Sequence, residues 1–282
     1  TRCTSSAASD VYKRQTYKHG ISFKCGDLTF NLHHARGETD DHTWIHVPEE
    51  KLIAPGDLFI WAVPNGGNPQ KVQRYISDWA DALDEMLKLD CEIFLPGHGF
   101  PILGKKRIEK ALETTSKFLR SIEDQTLKLM NQGKSLNQVL HEVKIPNDLM
   151  ELPWLTPIYD DPQFLIRMVW RRYGGWWDGE YDRLLPAPRK DEALAWVELS
   201  NGIENIILKA LENLDKGNFK VAAQLIETAF HADDDNKQMH DARAKIYREF
   251  SLKQSSSMGR NILNHASMAS AQGKRDLAQT ED

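Results

Sequence analysis

Three residues of metal-ligating type lie in turns or at strand ends within the first hundred residues. Glu38 stands in a polar turn, Asp57 ends the run Ala54-Pro55-Gly56-Asp57, and His98 lies within Pro96-Gly97-His98-Gly99. Catalytic zinc sites are built from imidazole and carboxylate ligands and keep one position open for water. A carboxylate between two metal ions can bridge them. Glu38, Asp57 and His98 are therefore candidate metal ligands, although their wide spacing is no signature in itself.

Each candidate also has an ordinary structural explanation. Glu38 is a common type of turn residue, and an Asp that follows Gly, as Asp57 does, often caps a turn. His98 is less easily explained in this way, because a short polar residue between glycines at a strand end is typical of binding sites. His42 has two interpretations: it either orients Glu38 through a hydrogen bond or is an exposed strand histidine.

Short β-strands are predicted around these residues. Alternating apolar and polar positions over residues 21–24 and 28–32 flank Gly26-Asp27, which predicts a hairpin. Residues 43–47 and 51–53 are further strand candidates, and the apolar run 58–63 predicts a buried segment.

A helix and a buried strand are predicted to lead to His98. Residues 69–89 place apolar side chains three and four positions apart, which predicts an amphipathic helix, and Val72 is the first residue of its apolar face. Residues 91–95 are apolar and end at Pro96-Gly97-His98. This order is typical of α/β folds, in which the carboxyl end of a strand carries a polar side chain into a site.

The rest of the chain is predicted to be helical. A long helix over 107–131 and a shorter one up to 143 precede a proline-rich segment, and successive helices cover 192–250. The tail after residue 252 is rich in Ser, Gln and Asn, which predicts disorder in part of it. Residues 1–15 resemble translated cloning or adapter sequence, so we exclude them from the fold prediction.

Composition and charge argue against several functional classes. The chain has 282 residues, of which 40% are hydrophobic and 27% charged, as is typical of globular proteins. Its net charge of −5, with both signs interspersed, argues against nucleic acid as a partner. No apolar run approaches the roughly 20 residues of a membrane span. The three cysteines lack Cys-x-x-Cys spacing, which argues against a disulfide framework and a zinc ribbon.

Three motifs together resemble the second half of the metallo-β-lactamase fold. They are Gly37-Glu38-Thr39-Asp40-Asp41-His42, Ala54-Pro55-Gly56-Asp57-Leu58-Phe59 and Leu95-Pro96-Gly97-His98. Glutamate in the first motif is typical of the alkylsulfatase branch, and residues 122–133 and 171–179 are similar to the dimerisation domain of that branch. The resemblance implies an α/β domain, part of an αββα sandwich, over 16–104. An all-helical dimerisation domain over 105–252 and a tail over 253–282 would follow it.

The resemblance also implies a site for two zinc ions. Asp57 would bridge the ions, and Glu38 and His98 would each complete one metal site. The bridging residue is Asp as in the wider superfamily, whereas alkylsulfatases tend to have Glu. The family's His-x-His-x-Asp-His motif, which holds most of the ligands, is absent, as expected if an amino-terminal half is missing. The chain alone is therefore expected to be inactive.

The implied reaction is hydrolysis of a sulfate ester, or a related ester with an apolar tail, by metal-activated water in a homodimer. Asn65 matches a family asparagine near the sulfate, whereas the family's sulfate-binding arginine falls on Gln70, with Lys71 and Arg74 nearby. Because Gln70 replaces an arginine, another hydrolase of the same fold, such as a lactonase, is an alternative. A non-catalytic helical assembly module on a degenerate hydrolase half is a second one. Family members occur in both cytoplasm and periplasm, so the location stays open.

Overall fold

The computed structural model describes residues 17–277, so the adapter-like segment 1–15 and the last five residues of the tail lie outside the described part. The described residues form two compact units. One unit comprises residues 17–66, 71–127 and 143–156, and the other comprises 67–70, 128–142 and 157–277. The predicted domain boundary between residues 104 and 105 stays a prediction.

A six-stranded mixed sheet forms the centre of the first unit. Its strands lie side by side in chain order: β1 Gly20–Cys25, β2 Leu28–Ala35, β3 His42–Val47, β4 Leu52–Ile60, β5 Ile93–His98 and β6 Ile102–Leu103. Neighbouring strands are antiparallel except β4 and β5, which are parallel. The predicted hairpin around Gly26-Asp27 is confirmed as β1 and β2. Because parallel strands need a crossover connection, the segment between β4 and β5 contains a helix, α1 Ile76–Leu87.

Helix α1 begins at Ile76 and not at residue 69, which corrects the sequence prediction. Asn68 Oδ1 accepts a hydrogen bond from Gln70 N at 3.0 Å, a local turn that competes with helix formation. Val72, predicted to lie on the apolar face, is 73% exposed. The helix itself packs on the sheet, and Trp79 Nε1 donates to Leu58 O at 2.7 Å.

Large aromatic side chains fix β4 beside β5. Phe59 of β4 and Phe94 of β5 are fully buried, and their rings meet edge to face with centroids 5.3 Å apart. Burial of one such side chain stabilises a fold by about 1.5–3 kcal/mol. The two strands whose ends carry the candidate ligands are therefore held together from within the core.

The remaining chain is helical, as predicted. Its helices are α2 Lys105–Asn131, α3 Leu136–Glu142, α4 Asn147–Met150, α5 Pro162–Gly174, α6 Arg189–Leu199, α7 Ile203–Asp215, α8 Phe219–Ala232, α9 Lys237–Leu252 and α10 Ser257–Ala271. Helices α7 to α9 share a core in which Ile207, Ile226, Met239 and Ile246 are fully buried. Within residues 17–277, the helices are all too short or too polar to cross a bilayer.

The tail contains helix α10, so the prediction of disorder does not hold for residues 257–271. Ser256 caps the helix by accepting a hydrogen bond from Gly259 N at 3.1 Å. Ser267 Oγ donates to Ala244 O at 2.8 Å, and Arg243 Nη1 donates to Ser270 Oγ at 2.7 Å. The serines therefore bind α10 to α9, although the same residue type in sequence indicates an unstructured tail.

Candidate functional site

Asp57, in the second half of β4, lies beside His98, the last residue of the parallel strand β5. Gly56 pairs with Pro96 and Ile60 pairs with His98, with shifts in register between these positions. His98 Nε2 lies 3.6 Å from Asp57 Oδ1. The His98 side chain is 76% exposed, so a ligand can approach it from solvent.

Two glycines permit this close approach. A Cβ on Gly97 would collide with Asp57 Oδ1 and would lie 2.7 Å from the carbonyl carbon of Gly56. Gly56 has a φ of +57°, which favours glycine, and a Cβ there would lie 2.9 Å from the His42 ring. Both positions in the Gly-Asp and Gly-His motifs therefore require the absence of a side chain.

Glu38 reaches the same region from the loop between β2 and β3. Its Oε1 accepts a hydrogen bond from Asn65 Nδ2 and lies 3.1 Å from Arg74 Nη1. The Arg74 side chain is only 4% exposed and that of Glu38 is 20% exposed. Arg74 Nη1 also donates to the main-chain oxygen of Asn65. The glutamate is thus held in a network with Asn65 and Arg74.

The carboxyl groups of Glu38 and Asp57 are close enough to share a hydrogen bond. Burial raises the pKa of Glu38 above its ordinary value, the Asp57 carboxyl raises it further, and Arg74 opposes the rise. Two carboxylates this close repel each other unless a proton or another cation lies between them. The arrangement therefore favours cation binding.

His42 does not hydrogen-bond to Glu38 in the described structure, which corrects one of its two interpretations. Its Nε2 lies 2.8 Å from the carbonyl oxygen of Pro55, at the turn before Gly56 and Asp57. The half-buried ring also fills the space next to Gly56. His42 therefore supports the turn that carries Asp57.

The donor types fit a divalent metal ion, but the three candidate ligands do not form a preassembled site. Glu38 contacts Asp57, and Asp57 lies near His98. In the part of the chain that the structure describes, no group of three or more His, Cys, Asp or Glu is arranged to hold a metal ion. Carboxylates and imidazole are the right chemistry for zinc, whereas two zinc ions need more than three ligands.

The two predicted anion-binding positions differ in their surroundings. Asn65 is buried, its amide nitrogen donates to Glu38, and its Oδ1 is buried without a hydrogen-bond partner among the described residues. Gln70 is exposed and belongs to the other compact unit. Sequence reasoning named Arg74 only as a neighbour of Gln70 and missed its contact with Glu38, because that contact depends on how the loop folds back.

Comparison with known proteins shows which proteins the chain resembles. Residues 135–273 match the alkyl sulfatase dimerisation family. The chain is 24% identical over 245 residues to a linear primary-alkylsulfatase of Pseudomonas sp. (strain ATCC 19151), covering 86% of this chain and 46% of that protein. It is 27% identical over 183 residues to the alkyl/aryl-sulfatase BDS1 of Saccharomyces cerevisiae, covering 64% of this chain and 28% of that protein.

A solved structure has the same fold over most of the chain. The stereoselective inverting sec-alkylsulfatase Pisa1 from Pseudomonas sp. superimposes with a TM-score of 0.86 at 23% identity, covering 92% of this chain and 42% of that one. The chain therefore spans less than half the length of these relatives.

Proposed function

We propose that this chain, which is an alkylsulfatase-like protein with a metallo-β-lactamase fold, carries part of the active site of a sulfate ester hydrolase. The observation that carries the proposal is that His98 Nε2 lies 3.6 Å from Asp57 Oδ1 across a parallel strand pair, with the Glu38 carboxyl also beside Asp57. The alkylsulfatase relatives support an alkyl sulfate, an anion with an apolar tail, as the substrate class.

In this proposal, Glu38, Asp57 and His98 hold two zinc ions together with further ligands beyond these three. A bound divalent cation supplies Lewis acidity, which lowers the pKa of water to about 7 and stabilises negative charge on oxygen. Asp57 is near both Glu38 and His98, so it would hold a metal ion together with either of them. Asn65 orients Glu38 through its amide, and His42 holds the turn before Asp57.

Zinc content tests the metal site directly. The protein as its complete gene encodes it is purified without chelators, and bound zinc is counted by elemental analysis in the wild type and in Asp57→Ala. We expect two zinc ions per chain in the wild type and a sharp loss in the variant. The matched control is Asp90→Ala, because Asp90 is an exposed aspartate that pairs with Lys51 and Lys105.

Hydrolysis tests the substrate class. We expect the zinc-loaded complete protein to release sulfate from decyl sulfate and Asp57→Ala to lose this activity. Cleavage of a lactone in preference to decyl sulfate would favour the other hydrolases of this fold. The absence of bound zinc from the complete protein would overturn the enzyme proposal and favour the alternative of a non-catalytic assembly module.

We also propose that the helical unit forms a homodimer, as the match to the alkyl sulfatase dimerisation family supports. Helix α6 buries Ala193 but exposes Trp196 and Leu199, and a groove of about 550 Å³ lies beside them. Such an exposed apolar patch is typical of a protein interface. Light scattering should give a dimer for the wild type and a larger monomer fraction for Trp196→Lys. Phe23→Lys, at an exposed aromatic side chain outside the matched region, is the control.

A further inference from the structure

Arg74 is a buried cation with an unused hydrogen-bond donor. Its side chain is 4% exposed, and its Nη1 serves both Glu38 Oε1 and the main-chain oxygen of Asn65. Its Nε is buried and, among the described residues, has no partner. An arginine stays charged in proteins, and a buried charge is costly unless a counter-ion is present. Glu38 is the counter-ion found here.

Glu38 cannot neutralise Arg74 and a metal ion fully at the same time. Its Oε1 already accepts from Asn65 Nδ2 and faces Arg74 Nη1. A divalent cation bound to this carboxylate would repel the guanidinium and weaken its attraction to Glu38. The positive charge of Arg74 would then lack a partner within a largely buried site.

We propose that Arg74 is the anion-binding residue of this site and that Glu38 masks it until a metal cation binds the carboxylate. The inference rests on the proposed function for its ligand, the sulfate group of an ester. A guanidinium offers parallel N–H donors that match the oxygens of such an anion better than a point charge does. The mask means that the sulfate group binds after the metal.

The isosteric substitution Glu38→Gln tests the mask without any metal. The glutamine keeps an oxygen that can accept from Asn65 Nδ2 and Arg74 Nη1, so the fold should persist, but the negative charge is gone. We expect inorganic sulfate, titrated into the metal-free chain by calorimetry, to bind about tenfold tighter to this variant than to the wild type, as one charge-assisted contact is gained. The double variant Glu38→Gln/Arg74→Gln should return to the wild-type affinity.

Two results would overturn the proposal. One is sulfate binding to Glu38→Gln that is no tighter than to the wild type, and the other is equally tight binding to the double variant. The control is Glu49→Gln, because Glu49 is also hydrogen-bonded, to Thr29, and should leave sulfate binding unchanged. Thermal unfolding of each variant shows whether it is folded.

Zinc titration gives a second test that does not need Glu38→Gln to fold. Arg74→Gln should bind zinc about tenfold tighter than the wild type, because one repelling charge is removed, and should lose the zinc-dependent binding of sulfate. Weaker zinc binding by Arg74→Gln would contradict the mask. A wild type that binds no zinc would overturn the proposed metal site, while the metal-free titrations would still decide the role of Arg74.

Discussion

Replacing Gly97 by alanine tests whether the close approach of β4 and β5 positions the site. The new Cβ would meet Asp57 Oδ1, which can swing away, but also Gly56 C at 2.7 Å and Asp57 N at 2.9 Å, which belong to the backbone. Restoring a carbon–carbon separation of about 3.5 Å requires the strands to separate by about 0.8 Å. Overpacking of this kind typically costs about 1–3 kcal/mol. Because Asp57 and His98 lie on opposite sides of the contact, their spacing should change as well.

The assay compares Gly97→Ala with Gly259→Ala. A Cβ on Gly259 would have its nearest neighbour at 3.5 Å, an ordinary contact, and alanine within a helix is favoured by up to about 1 kcal/mol. We expect Gly97→Ala to lower the thermal unfolding temperature of its unit by several degrees and to weaken zinc binding, and Gly259→Ala to do neither. Equal stability and zinc affinity in the two variants would refute the argument that the Gly-His motif is needed for backbone approach.

Three further predictions concern single side chains. The pKa of Glu38 in the folded protein lies above its ordinary value of 4.5, so Glu38 contributes stability that is fully present below pH 4.5 and is lost as the pH rises through the folded pKa. Thermal unfolding of the metal-free protein, measured across pH, should show this decline in the wild type and a flatter curve in Glu38→Gln. Burial raises the pKa of the Cys91 thiol to about 11, so mass spectrometry should find iodoacetamide on exposed Cys25 but not on Cys91 until the chain unfolds. Asn236 caps α9 by accepting from Met239 N at 2.9 Å, and Asn236→Ala should cost about 1 kcal/mol in denaturant unfolding; a loss below about 0.3 kcal/mol would contradict this role.

The sequence predicts elements well where periodicity and turn chemistry agree. The alternation around Gly26-Asp27 predicts the hairpin because both strands and the turn have a local signal. The predicted start of α1 is wrong because apolar spacing continues back to Val72, whereas a hydrogen bond from Gln70 N to Asn68 Oδ1 forms a turn before the helix. The sequence does not predict the helix in the tail, because its serines stabilise it through contacts with α9 and the local sequence pattern gives no sign of those contacts.

In the candidate site too, local sequence patterns predict some residues, whereas the roles of others depend on the fold. The sequence predicts Asp57 and His98 as site residues because glycine next to a polar residue at a strand end is a local feature. The role of Arg74 cannot be predicted in this way, because it depends on contact with the Glu38 carboxylate in a loop that is distant in the sequence. His42 also has two interpretations in the sequence, and its contact with the Pro55 carbonyl gives it a third role, which depends on how the fold places that carbonyl.

The position of Glu38 is fixed by the core as much as by its polar partners. Gly37, the residue before it, lies so close to Leu58 Cδ2 that a Cβ would collide with it, and that Cβ would stand 3.5 Å from the Trp79 ring. Leu58 and Trp79 are both fully buried, and Trp79 is held by its hydrogen bond to Leu58 O. A smaller side chain at either position would leave a cavity beneath the turn, which allows the turn to shift. The carboxylate would then move relative to Asp57 and Arg74, so its contacts with both side chains depend partly on apolar packing.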